Sequence, residues 1–117
     1  MQPAGIITID QNGAGDTDKI APEKLVSGQA ATKIWNAFSD TSGKFHVGHW
    51  ASGPCKLKVS YSENELCVLL TGHAVIEDAT GARAEYGPGE PFVIAAGFNG
   101  TWESLGDVTK IYAIYEA

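Results

Sequence analysis

The stretch CKLKVSYSENELCVLLTG, residues 55–72, shows most directly how this chain folds. From Cys55 to Tyr61, apolar or aromatic residues alternate with lysine and serine, which is the pattern of a β-strand with one face in a core. The triplet SEN supplies a turn, and ELCVLLT follows with apolar residues on both faces. The stretch therefore predicts two short strands, and the second should be covered on its outer side as well.

The same rhythm of short strand and turn continues from Lys33 to the end of the chain. Turn signals recur about every ten residues, and no segment shows a helical period of apolar residues. We therefore predict an all-β sandwich or barrel, with a single domain over residues 31–117. Residues 1–30 are polar and small around one apolar stretch, GIITI at 5–9, so they indicate an N-terminal arm that supplies an edge strand or a dimer contact.

The composition argues against several classes of partner. The 117 residues carry a net charge of −6 and only eight lysines and arginines, spread along the chain, whereas binding nucleic-acid phosphates needs a cluster of them. No stretch is long and apolar enough to span a membrane, and the N-terminus lacks the pattern of a signal peptide. Two cysteines do not make a disulfide framework. We expect a cytoplasmic protein that binds neither nucleic acid nor membrane.

The second apolar face of residues 65–71 needs a cover in so small a domain. Either the N-terminal arm or a second copy of the chain can provide it. We therefore expect a homodimer.

Several longer phrases resemble one family. GKFHVGHWASGP, YSENELCVLLTGHAVIEDATG, YGPGEPFVIAAGFNGTWE and the closing KIYAIYE together are similar to cupins. The resemblance covers roughly residues 33–116 and is to the small single-domain group with a ureidoglycine-aminohydrolase-type cupin domain, which is DUF861-like. It implies a double-stranded β-helix of the jelly-roll type with a ligand pocket inside.

The resemblance also implies where a metal would bind. The first cupin motif places two histidines and a glutamate together, and the second adds a last histidine. In this sequence the glutamate is Glu65, the histidine places fall on Val59 and Tyr61, and the last histidine place falls on Gly100. A transition metal needs three or four N, O or S donors, so we expect no metal cofactor.

Further pocket residues follow from the resemblance or from the strand face on which a residue lies. The subgroup's substrate-contacting tyrosine corresponds to Tyr112, whereas its lysine corresponds to Glu116. Trp102 lies two residues after the missing histidine and therefore on the same strand face. In KFHVGHW, His49 shares its face with Phe45 and Val47, which favours it over His46 as an interior residue.

These residues leave alternatives open. An atypical divalent metal at Glu65 and His49, with Tyr61 and Cys67 nearby, is the less favoured one, because the donor spacing is wrong. Cys67 alone is typical of a buried small apolar residue. Glu65 is either a structural carboxylate or a general acid or base, and inside an apolar barrel it must be protonated, paired or solvated.

Three functions follow from these alternatives. The preferred one is a metal-free cupin that binds a small polar metabolite. The second is an enzyme that uses Glu65, alone or with a metal, on a small nitrogen-containing compound. The third is a dimeric interaction module with a filled barrel. The candidate ligand pocket consists of Tyr61, Glu65, Cys67, Trp102, Tyr112 and His49, and Glu65→Gln is expected to change stability only modestly.

Overall fold

A computed structural model describes residues 2–18, 20–29 and 31–117 and shows eleven strands and one turn of 3-10 helix at Pro22–Lys24. The prediction of an all-β chain is confirmed. The strands are β1 (Asp16–Asp18), β2 (Leu25–Gly28), β3 (Thr32–Ser39), β4 (Phe45–Ser52), β5 (Cys55–Ser60), β6 (Asn64–Thr71), β7 (Ala74–Asp78), β8 (Arg83–Tyr86), β9 (Phe92–Ile94), β10 (Asn99–Ser104) and β11 (Val108–Tyr115).

The strands form two antiparallel sheets that face each other as a jelly roll. The six-stranded sheet has the order β1-β3-β4-β11-β6-β9, and the five-stranded sheet has the order β2-β5-β10-β7-β8. Tight turns carry the chain from one sheet to the other, and Gly72 between β6 and β7 shows why such turns need glycine. Its φ is +81°, and a Cβ there would lie 2.3 Å from the carbonyl oxygen of Asp107. No helix in the described part of the chain is long and apolar enough to cross a membrane.

The core lies between the inner faces of the two sheets. In β5 the predicted inward residues Cys55 and Leu57 are buried, as the alternation of that strand requires. The largest core cluster draws on both sheets. Its buried members are Trp50, Cys67, Leu69, Ala74, Ile94, Trp102, Val108 and Tyr112.

The N-terminal third adds a strand to the edge of each sheet. β1 pairs with β3, and β2 pairs with β5. The edge strand expected at residues 5–9 does not form there: residues 6–10 have no regular secondary structure, and Ile6 and Ile7 are at least half exposed. Asp16–Asp18 pairs with β3 instead, because in that register Thr32 donates a hydrogen bond to the carbonyl of Asp18.

The outer face of the six-stranded sheet is apolar and only partly covered. The arm lies over β3 and β4, where Trp35 Nε1 donates to the carbonyl of Gly13 at 3.2 Å. Further along the sheet, Leu66 and Leu70 of β6 remain 42% and 43% exposed, and Val93 of β9 is 61% exposed. The arm therefore supplies one part of the predicted cover and leaves β6 open to solvent in the single chain.

Candidate functional site

A cavity of about 520 Å³ lies between the sheets and extends to Asp18, Ile20 and Lys24 of the N-terminal third. This volume is in the range of small-molecule sites, which are mostly apolar with a few polar groups that orient the ligand. The apolar and aromatic lining consists of Ile34, Trp50, Leu57, Val59, Tyr61, Trp102 and Ile114. The polar lining consists of Asn36, His46, Lys58, Ser60, Glu63, Glu65 and Tyr112.

Glu65 forms a buried ion pair with Lys110. The Lys110 Nζ lies 2.8 Å from Glu65 Oε2, and the two side chains are only 6% and 7% exposed. Strand parity brings them together, because Glu65 on β6 and Lys110 on β11 both point inward from neighbouring strands of one sheet. The Lys110 Nζ is also 3.7 Å from the Cys67 Sγ, one inward position further along β6. The carboxylate is therefore paired rather than left alone in the barrel.

Two tryptophan rings complete the surroundings of the Lys110 ammonium. Its Nζ lies 4.2 Å from the ring centroid of Trp102 and 4.8 Å from that of Trp50. The two rings meet edge to face, with centroids 5.5 Å apart and an interplanar angle of 80°. A desolvated cation over a tryptophan face gains about 2 kcal/mol. These contacts hold the ammonium in the interior. Among the described residues, Glu65 Oε2 is the one oxygen to which it donates a hydrogen bond.

Burial, together with the charges of the pair, determines how the neighbouring groups titrate. Burial alone would lower the pKa of Lys110, but the charges of Glu65 and Cys67 and the hydrogen bonds to them outweigh it and raise that pKa. Burial raises the pKa of the Cys67 thiol to about 12, even though Lys110 acts in the opposite direction. Lys110 is therefore an ammonium and Cys67 a thiol at neutral pH. A thiol with so high a pKa is a poor nucleophile.

Two tyrosines, Tyr61 and Tyr112, line the same cavity as Glu65. Burial, and after it the Glu65 carboxylate, raises the pKa of Tyr61 far above its ordinary value. Burial and Glu65 likewise raise the pKa of Tyr112, whose hydroxyl donates to Asn36 Oδ1 at 2.8 Å. Both phenols are neutral hydrogen-bonding groups at physiological pH.

Four of the six residues expected around the pocket line this cavity: Tyr61, Glu65, Trp102 and Tyr112. Cys67 is fully buried and is not among the lining residues, so it supports the ion pair and does not face a ligand. Trp102 Nε1 donates a hydrogen bond to Ser104 Oγ at 2.9 Å, which fixes the orientation of the ring in the cavity wall.

The sixth, His49, lies outside the barrel. Its Nε2 is 3.3 Å from the carbonyl oxygen of Ile9, so it is buried under the arm on the outer face of β4. Trp50 and His46 take the inward positions of that strand and line the cavity. We expected His49 inside because it shares a strand face with Phe45 and Val47. That criterion fails in β4 because the outer face of this sheet is apolar too. A metal site that combines Glu65 with His49 is therefore ruled out by the geometry of β4.

Lys110 is the member of the candidate site that the sequence interpretation missed. The signal was present, because in TKIYAIY residue 110 has the same strand parity as Tyr112, which was expected in the pocket. A buried lysine is rare unless it is paired, so the general rule places it on the surface. Its partner Glu65 lies on the other strand of the pair, and only the register between β6 and β11 brings the two together.

The donor set does not fit the metal that the cupin fold implies. Val59 and Tyr61 stand at the expected histidine positions, and Val59 is paired across the sheet with Gly100, the position of the last histidine. A Cβ at Gly100 would lie 2.0 Å from the carbonyl oxygen of Glu77, so the strand leaves no room for a side chain there. Among the described residues no three His, Cys, Asp or Glu side chains group closely enough to hold a metal ion.

Comparisons with known proteins agree on the fold. A EutQ protein from Clostridium difficile superimposes with a TM-score of 0.66 at 17% identity, and the match covers 74% of this chain and 64% of that one. A protein of unknown function of the DUF861 family from Pseudomonas syringae gives a TM-score of 0.73 at 24% identity, over 95% of this chain and 45% of that one. This chain thus spans less than two thirds of either relative.

A putative ethanolamine utilization protein Q from Salmonella typhimurium is similar as well, with a TM-score of 0.66 at 14% identity over 74% of this chain and 71% of that one. None of the curated proteins is detectably similar in sequence. The family model of the EutQ-like cupin domain, Cupin_3, matches residues 39–112. Because that match spans well over half of the sequence and contains most of the strands around the cavity, the chain belongs to the EutQ-like cupin family.

Proposed function

We propose that this cupin binds a small polar metabolite in the cavity around Glu65 without a transition metal. The observation that supports it is the ion pair itself. Lys110 supplies the positive charge that a metal would give Glu65 if the cupin resemblance extended to the metal site, and the cavity next to the pair remains open. The cavity combines aromatic walls with a few buried polar groups, which is the usual composition of a ligand site.

The aminohydrolase-like alternative lacks this support. It requires histidines at two positions that hold Val59 and Tyr61 here. Its lysine position holds Glu116, whose carboxylate accepts a hydrogen bond from Ser62. The filled-barrel alternative conflicts with the open volume beside Glu65. We place the protein in the cytoplasm, and its two free cysteines, Cys55 and Cys67, are compatible with that reducing compartment.

The proposal predicts low metal content together with binding inside the barrel. Purified without chelator, the protein should contain less than one equivalent of manganese, iron, nickel or zinc by plasma mass spectrometry. In nuclear magnetic resonance spectra, pooled metabolites should shift the indole N–H signals of Trp50 and Trp102, which line the cavity. The signal of Trp35, which donates to the arm, is the internal control and should stay in place. Stoichiometric metal, or pools that move only Trp35, would contradict the proposal.

We further propose that the exposed part of the outer sheet face pairs with a second copy of the chain. Leu66, Leu70 and Val93 form an uncharged apolar surface, and two such surfaces can pack together without leaving an unpaired charge. Light scattering after size exclusion should give twice the 12.3 kDa chain mass. Leu66→Lys should give a folded monomer. Val26→Lys on β2, where the valine is 49% exposed, should leave the dimer intact. A monomeric parent protein would refute the pairing.

A further inference from the structure

A chain of hydrogen bonds runs along one wall of the cavity. The Tyr112 hydroxyl is 2.8 Å from Asn36 Oδ1, and Asn36 Nδ2 is 2.9 Å from Ser39 Oγ. Ser39 Oγ is in turn 2.7 Å from His46 Nδ1, and His46 Nε2 is 3.0 Å from the carbonyl oxygen of Gly43. Three of its members, Tyr112, Asn36 and His46, line the cavity.

The last link determines the direction of the whole chain. A carbonyl oxygen can only accept, so His46 Nε2 carries the hydrogen and, in the neutral ring, Nδ1 is an acceptor. Ser39 must then donate to Nδ1 and accept from the amide nitrogen of Asn36. This leaves Asn36 Oδ1 facing Tyr112, whose only hydrogen is donated to it.

The direction of this chain makes the Tyr112 oxygen an acceptor toward the cavity. The Tyr112 oxygen has given its hydrogen to Asn36 and can offer a ligand only its lone pairs. At Glu65 the Lys110 ammonium donates to Oε2 at 2.8 Å, and the neutral Tyr61 hydroxyl lies close enough to the carboxylate to act as a second donor. A ligand that donates to the Tyr112 oxygen and to the Glu65 carboxylate therefore complements this arrangement.

The charge of the site limits the ligand further. Lys110 neutralises Glu65 at 2.8 Å, so the inner site has no net charge to attract an ion. Among the other charged residues of the lining, Asp18 and Glu63 are balanced by Lys24 and Lys58. Taking an ion out of water into such a neutral, largely apolar cavity is costly. The site thus favours hydrogen-bond donors on an uncharged molecule.

We infer that the ligand is an uncharged molecule rich in hydroxyl groups, of the polyol or monosaccharide class, which donates to the Glu65 carboxylate and to the Tyr112 oxygen. This inference rests on the proposed function and specifies its ligand class. The aromatic lining, with Tyr61, Trp50 and Trp102, provides apolar surface for the carbon skeleton of such a molecule, while its hydroxyl groups meet the two acceptors.

The test compares compounds that differ in charge and little else. Sorbitol, gluconate and glucamine share one polyhydroxylated six-carbon chain and end in a hydroxymethyl, a carboxylate and an ammonium group; myo-inositol adds a second neutral compound. Each is titrated to millimolar concentrations while the indole signals of Trp50 and Trp102 are followed. We expect at least one neutral compound to bind at least ten times more tightly than gluconate and glucamine. If a charged compound binds better, or if neither neutral compound shifts the two signals, the inference is overturned.

Two tyrosine variants test the contact itself. Tyr112→Phe removes the acceptor oxygen and should weaken binding of the neutral compound about tenfold. Tyr115→Phe changes a half-exposed tyrosine on the opposite face of β11 and should leave the affinity unchanged. Equal affinities in the two variants would place the compound elsewhere. Tighter binding of a charged compound would refute the ligand class alone, whereas stoichiometric metal in the protein would refute the metal-free site itself.

Discussion

Replacement of Lys110 by methionine should lower the free energy of unfolding by about 3–5 kcal/mol, because it leaves Glu65 as an uncompensated charge in the barrel. Both side chains of the pair are more than nine-tenths buried, so bulk water replaces the ammonium poorly. Methionine is close to lysine in length, which limits the loss of packing against Trp50 and Trp102. Urea unfolding followed by tryptophan fluorescence measures the change.

The same substitution at the surface provides the matched control. Lys56 Nζ lies 4.0 Å from Glu77 Oε1, and both side chains are about one third exposed, so Lys56→Met should cost less than about 1 kcal/mol. The double variant Glu65→Leu with Lys110→Met removes both charges and should recover most of the lost stability, since an apolar pair of similar size often replaces a buried ion pair without loss. A loss under about 1 kcal/mol in Lys110→Met alone would show that Glu65 becomes protonated or solvated when the ammonium is removed.

The ion pair also changes what is expected of Glu65→Gln. From the sequence alone this substitution should be mild, because the missing histidines predict that Glu65 holds no metal. In the folded chain it leaves the Lys110 ammonium without its only described carboxylate partner, so we now expect a loss similar to that of Lys110→Met. A stability loss in this variant therefore reports the ion pair and does not argue against a ligand in the cavity.

The fold was predictable because its signals are local. In β5 the alternation of apolar residues with lysine and serine gives the buried face directly, and Cys55 and Leu57 are buried as it requires. Glycine and polar residues mark the turns between the later strands, such as the one at Gly72. A period of two and a turn residue are both properties of a few neighbouring residues, so one sequence is enough to show them.

The candidate site was only partly predictable because it depends on which strands meet. Strand parity gives two faces but does not say which one is inside, and in β4 both faces carry apolar residues. His49 was therefore expected inside, although His46 is the histidine at the cavity. Lys110 and Glu65 are 45 residues apart in the chain, and their contact needs the register of β6 on β11. No local pattern specifies that register.

Raising the pH above 9 should destabilise the protein steeply, by about 4 kcal/mol between pH 9 and pH 11, because several buried groups keep their protons in the folded state. In the unfolded chain the Cys67 thiol titrates near 9.0, whereas in the folded chain its pKa is about 12. Above pH 9 unfolding therefore releases a proton, and stability falls by about 1.4 kcal/mol for each pH unit. Tyr61 adds a second proton above its ordinary pKa of 10.0. Urea unfolding at intervals from pH 8 to pH 11 measures the slope.

Lys110 acts in the same direction. Its pKa is raised in the folded state, so its stabilising contribution is complete below the ordinary value of 10.5 and is lost as the pH rises above it. Cys67→Ala removes one of these protons and should reduce the slope between pH 9 and pH 10 by about 1 kcal/mol per pH unit. Cys55→Ala is the matched control with a smaller effect, because hydrogen bonds with Ser52 and Ser104 oppose the rise that burial causes in the pKa of Cys55. Equal slopes in the parent protein and Cys67→Ala would mean that the Cys67 thiol ionises in the folded state as readily as in the unfolded chain, and thus that water reaches the ion pair beside it.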